Sequence, residues 1–84
     1  MTYTKYNDAG HGWLEVPISE LKRLNIADKI SGFSYRDGDT AFLEEDDDLS
    51  LFWEAKEERG ESLEINHIFS NYSPVRAYAG YHYP

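Results

Sequence analysis

Cysteine is absent from this 84-residue chain, which excludes disulfides and any cysteine-ligated zinc. Long apolar runs are absent too. No stretch approaches the roughly 20 apolar residues of a membrane span, and the opening MTYTKYNDAG lacks the apolar core of a signal peptide. A cytoplasmic protein that does not engage a membrane is expected. The third deficit is basic residues: eight Lys and Arg face sixteen Asp and Glu, for a net charge of −8. Phosphate neutralisation needs grouped cations, so direct binding to DNA or RNA is disfavoured.

What is present is a foldable composition. Hydrophobic residues make up 40% of the chain and aromatics 15%, including seven Tyr, four Phe and two Trp. That supports one domain over residues 1–84 with a small core of large building blocks. The charge is segregated. Residues 1–36 hold four acids and five bases, residues 37–64 hold twelve acids against Lys56 and Arg59, and residues 65–84 add only Arg76. A basic partner is the natural complement of such a central block, although acidity also serves solubility alone.

The periodicity predicts an α+β fold in the order β-β-α-β-β-α-β, an antiparallel sheet with two helices on one face. TYTKYN and HGWLEVP read as two strands joined through Asp8, Ala9 and Gly10, with Gly10 and Gly12 free to take positive φ. Pro17 suits the first position of a short helix carrying Ile18, Leu21 and Leu24 on one face, closed by Asn25 in a Schellman arrangement that brings Ile26 to Leu21. A second hairpin turns at Asp37-Gly38, with Phe42 facing opposite Ala41 and Leu43. An aspartate among residues 46–48 should cap the second helix, whose stripe is Leu49, Phe52, Trp53 and Ala55 or Lys56, stopped by Gly60. Leu63, Ile65, His67 and Phe69 then share one face of a strand. Residues 70–84 form a tyrosine-rich segment that either adds a short strand at 75–78 or drapes over the surface. Without the first strand, the remainder has the ferredoxin-like order.

Candidate chemistry is sparse. Asp8 and His11 offer an acid–base pair, but no nucleophile motif accompanies them: Ser19, Ser31 and Ser34 lie outside any Gly-x-Ser-x-Gly elbow. Turn chemistry explains the same residues. His11, His67 and His82 lack paired spacing. DGDTAFLEEDDD starts like a calcium loop at Asp37 and Asp39, then fails with Ala41, Phe42 and Asp48 where the loop needs a ligand, a glycine and a glutamate. No metal or cofactor is therefore expected, and no catalytic residue is assigned.

The acidic block is the stronger candidate. Glu44, Glu45, Asp46, Asp47 and Asp48 are adjacent like charges, and Glu54, Glu57 and Glu58 extend them along the second helix. Such repulsion is tolerated when the groups stay solvated or meet positive charge. In the tail, Tyr72 and Tyr78 are expected to complete the core, while Tyr81 and Tyr83 are candidate contact residues.

YNDAGHGWLEV, LNIADKISGFSYRDGDTAFLEEDDDLSLFWEA and YSPVRAY resemble, in order and over most of the chain, a group of small accessory proteins of bacteriophages and plasmids. The resemblance implies an accessory role and no catalytic residues. By class, small acidic phage proteins of this kind include inhibitors of host defence, anti-CRISPR proteins among them. The expectation is a non-enzymatic inhibitor whose acidic face engages a basic host protein or ribonucleoprotein, in the manner of a nucleic-acid mimic. Two alternatives stay open: a small enzyme centred on Asp8 and His11, and a structural or regulatory protein that self-associates, as a homodimer for example, through the tail.

Overall fold

The computed structural model describes residues 2–71 and 73–84, so the core role expected of Tyr72 lies outside the described residues. The elements are β1 (Thr2–Asn7), β2 (Gly12–Pro17), α1 (Ile18–Arg23), β3 (Tyr35–Asp37), β4 (Thr40–Glu44), α2 (Asp48–Glu58), β5 (Glu64–Phe69), a 3-10 helix (Pro74–Ala77) and β6 (Ala79–Gly80). The α+β class and the order of its first seven elements follow the sequence reading. The sheet does not follow it fully. Its six strands run β5-β1-β2-β4-β3-β6, and β5 pairs parallel to β1 from Thr2↔Glu64 to Asn7↔Phe69. Without β1, the remaining β2-α1-β3-β4-α2-β5 has the ferredoxin-like element order. β1 is wedged between β5 and β2, and that wedge creates the parallel pair.

Strand alternation divides the core in two. Tyr3, Leu14, Val16, Ala41 and Leu43 pack against Ile18 and Leu21 of α1 and Phe52 of α2, with Leu24, Ile26, Ala27 and Ile30 closing the cluster. Both helices therefore cover one face, and Tyr3 meets Phe52 edge-on at 5.2 Å. On the other face Trp13, Phe42 and Val75 form a second cluster, with Tyr6, Tyr35 and Tyr78 against it. The C-terminal segment thus acts as a lid over that side of the sheet.

Local signals explain most boundaries. Asn25 adopts φ 60°; its N–H reaches Lys22 O and that of Ile26 reaches Leu21 O, the two bonds of a Schellman cap. Gly60, at φ 70°, ends α2 in the same way. Other expectations shift. Pro17 stands at the cap position ahead of α1. The β3–β4 pair closes at Asp37↔Thr40, so the loop is Gly38-Asp39, one residue later than expected. Gly10 and Gly12 are not among the positive-φ residues. Gly12 leaves room for its neighbours instead: a Cβ there would sit 2.6 Å from Asn7 Oδ1 and 2.8 Å from Glu45 Oε2, and those side-chain ends would have to shift. In the tail, residues 74–77 are helical and the short strand follows at 79–80.

Two aromatic assignments are corrected. Trp53 leaves the apolar stripe of α2 and is 42% exposed, because Lys56 takes the inward position beside Phe52. Its ammonium group meets Tyr3 Oη at 2.9 Å, Glu61 at 3.2 Å and Glu20 at 3.6 Å. Burial works against that charge, but the Tyr3 hydroxyl and Glu61 outweigh it, and the Lys56 pKa is raised. Phe69 shares its strand face with Ile65 and His67, yet is 76% exposed, whereas Ile65 packs against the core.

Candidate functional site

The opening NDAGHGW folds as a turn whose aspartate is fully engaged. Asp8 Oδ1 accepts the backbone N–H groups of Gly10 and His11 at 3.1 and 3.0 Å. Arg76 Nε donates to its Oδ2 at 2.6 Å and Arg76 Nη2 to its Oδ1 at 3.0 Å. The guanidinium holds the Asp8 carboxyl far below the usual carboxylate range. The same guanidinium lies 5.0 Å over the Trp13 ring. Asp8 is therefore an anchor for the tail, and its side chain does not pair with the His11 imidazole. The acid–base expectation for that pair loses its geometry. The clamp by Arg76 escaped the sequence reading, since nothing local to YSPVRAY points to a residue 68 positions away.

His11 turns the other way, with Nδ1 3.4 Å from Glu44 Oε1. One donor atom from each of His11, Glu44 and Asp46 lies within 4.8 Å of the others, so an imidazole and two carboxylates converge as cation ligands do. They line a hollow of about 380 Å³ with Trp13, Phe33, Tyr35, Asp47 and Arg76. The Arg76 guanidinium on its wall opposes a cation there.

The acidic run does not form one exposed strip. Glu44 is buried at the end of β4, and its Oε2 accepts the N–H groups of Asp46 and Asp47 at 2.8 and 3.1 Å. Burial pushes its carboxyl pKa up. Glu45 pairs with Lys5 at 2.5 Å. Asp48 is buried and accepts from Ser31 N at 3.0 Å, Ser31 Oγ at 2.7 Å and Ser34 Oγ. The Ser34 hydroxyl in turn accepts the N–H of Glu44. The capping reading is corrected accordingly: Asp47 occupies the cap position with no side-chain cap bond, and Asp48 ties α2 to the 31–34 loop. Glu44 and Asp48 are inside because each satisfies backbone or hydroxyl donors that would otherwise be orphaned.

What stays outside is Asp46 and Asp47, then Glu54, Glu57 and Glu58 on α2. No ion pair joins any of these five to a base among the described residues. Glu54 and Glu57 border Trp53, and with Glu45, Leu49 and Ser50 these residues line one shallow depression. Sequence reasoning missed this Trp by counting it into the core stripe. Its signal was that Phe52 and Lys56, four apart, already fill the inward row. Of the tail candidates, Tyr83 is exposed, whereas Tyr81 is buried on the helix side and donates its hydroxyl to Ala27 O at 2.5 Å. A partner contact through Tyr81 is thereby corrected to a core role. Tyr78 packs on Phe42 at 5.0 Å, as expected of a core tyrosine.

Comparison with protein-family models, curated proteins and solved structures returns no match.

Proposed function

We propose that the protein is a non-enzymatic binder that docks the outer face of α2 on a basic surface of another protein. Trp53 supplies the anchor, a large ring exposed on a rigid helix, which is the residue type that dominates interface energetics. Glu54, Glu57 and Glu58, with Asp46 and Asp47 at the helix start, supply charge for lysine and arginine around an indole-sized pocket. The observation that carries the reading is this juxtaposition of an exposed tryptophan with Glu54 and Glu57, which no ion pair engages among the described residues. For an accessory protein of a phage or plasmid, such a basic surface belongs to a host nucleic-acid-handling complex, and its occupation is inhibition. Glu44, Asp48 and Tyr81 support the surface from within and make no contact.

The test is affinity capture from host lysate at low and high salt, using wild type, Trp53→Ala and the Glu54→Lys/Glu57→Lys/Glu58→Lys triple variant. Wild type is expected to retain a basic nucleic-acid-binding assembly that high salt releases. Both variants should lose it while melting close to wild type. Retention of the same assembly by all three proteins would refute the reading.

A further inference from the structure

β5 is the outer strand on its side of the sheet, and Glu64 is the one charge that protects its edge. It has no proline, no lysine and no bulge across Glu64–Phe69. Ile68 is 44% and Phe69 76% exposed there. We infer that this edge is a homodimerisation surface on which a second copy of the chain pairs antiparallel, β5 to β5.

The backbone fixes which groups are available. Ser70 N donates to the backbone O of Asn7 at 3.0 Å, and the side-chain Nδ2 of Asn7 donates to Ile68 O at 3.4 Å. The polar groups of Ile68 and Ser70 therefore turn toward β1, and by alternation those of Ile65, His67 and Phe69 turn outward. A two-fold axis perpendicular to the sheet keeps like faces together and allows registers centred on Asn66, His67 or Ile68 of this strand; centred on Ile68, only His67 and Phe69 pair. Centred on His67, Ile65 meets Phe69 of the second copy, His67 meets its equivalent, and Phe69 meets Ile65. Every outward residue of the strand then forms a hydrogen-bonded pair. Centred on Asn66, only Ile65 and His67 pair, and Phe69 runs beyond the strand. The His67 register uses all the edge donors and acceptors, and it covers Phe69 with the apolar Ile65 side chain of the other copy.

The charges of the strand itself are compatible with a second copy. Glu64 is the only charged residue of β5, and in this register it faces Ser70, so no like charges are apposed. The whole chain carries −8, so two copies repel overall and approach most easily along this sparsely charged strand. The interface is isologous and closed, which limits assembly to a dimer. It uses an edge distinct from the outer face of α2 and does not depend on the function proposed above.

Sedimentation velocity from micromolar to millimolar concentration tests it with wild type, His67→Pro and Phe69→Lys. Proline at 67 removes an outward N–H and leaves the β1 ladder intact; lysine at 69 keeps the backbone and removes the apolar cover. Wild type should dimerise with concentration, more strongly at high salt as repulsion is screened. Each variant should weaken association at least about tenfold while keeping the wild-type circular dichroism spectrum. A wild type that stays monomeric through millimolar concentration, or a dimer that both variants leave unchanged, would overturn the inference. Failure of partner capture by Trp53→Ala has no bearing on this result, which keeps the two proposals separable.

Discussion

Replacing Asp48 by Ala should be among the most damaging changes available on this acidic protein, although five adjacent acids suggest a tolerant surface. The side chain is 4% exposed and accepts one backbone N–H and two hydroxyls. Hydrogen bonds to a charged acceptor contribute about 1.5–3 kcal/mol each, but they do not add, and alanine also relieves the cost of burying the carboxylate. The Ser31 hydroxyl reorients toward solvent, while Ser34, fully buried, loses its acceptor outright. A net loss of about 3 kcal/mol follows. A domain of this size has a stability of about 4–13 kcal/mol, so the melting temperature should fall by about 12–24 °C. Asp47→Ala removes an exposed carboxylate with no cap bond and should stay within about 0.5 kcal/mol. Asp48→Asn retains one acceptor oxygen and should fall between them. Urea unfolding followed by tryptophan fluorescence measures all three. Equal losses for Asp47→Ala and Asp48→Ala would refute the division of the acidic run into supporting and exposed members.

Three further outcomes are expected. Tyr81→Phe should cost about 1 kcal/mol by orphaning Ala27 O, while Tyr83→Phe leaves the thermal melt unchanged. Gly60→Ala should cost about 1 kcal/mol, because φ is 70° although a Cβ meets nothing; Gly32→Ala, which also meets nothing and has no positive φ, should be neutral. Arg23, assisted by Lys56, holds the Glu61 carboxyl down to about 2. A carboxyl more acidic in the folded protein adds stability that is complete above its unfolded pKa of about 4.3. That contribution is lost as pH falls through about 2. Urea midpoints measured across this window should fall less steeply for Glu61→Gln than for wild type; parallel slopes would count against the Arg23–Glu61 contact.

Short-range signals made much of the fold legible. Asn25, Gly60 and the alternation of Ala41, Phe42 and Leu43 each act within a few residues and appear where the sequence puts them. Legibility fails where one element decides the fate of another. Asp48 is inside because Ser31 and Ser34 arrive opposite it, Tyr81 because Ala27 offers a carbonyl, and Phe69 is outside although Ile65 on the same strand face reaches the core. The acidic composition was visible, but which acids it leaves for a partner depends on those distant donors. Trp53 illustrates the same limit: helical spacing admits it to the stripe, and only the tethering of Lys56 by Tyr3, Glu20 and Glu61 displaces it.

The wedge of β1 between β5 and β2 also has a kinetic consequence. β1 finds its first neighbour within a local hairpin, but its second is separated by 62 positions at Thr2 and Glu64. During synthesis the hairpin forms early with one flank open, and that flank closes only when residues 64–69 leave the ribosome. Closing so long a loop is slow compared with forming hairpins and helices. The chain therefore passes through a stage in which one flank of β1 is an open template, until β5 docks there.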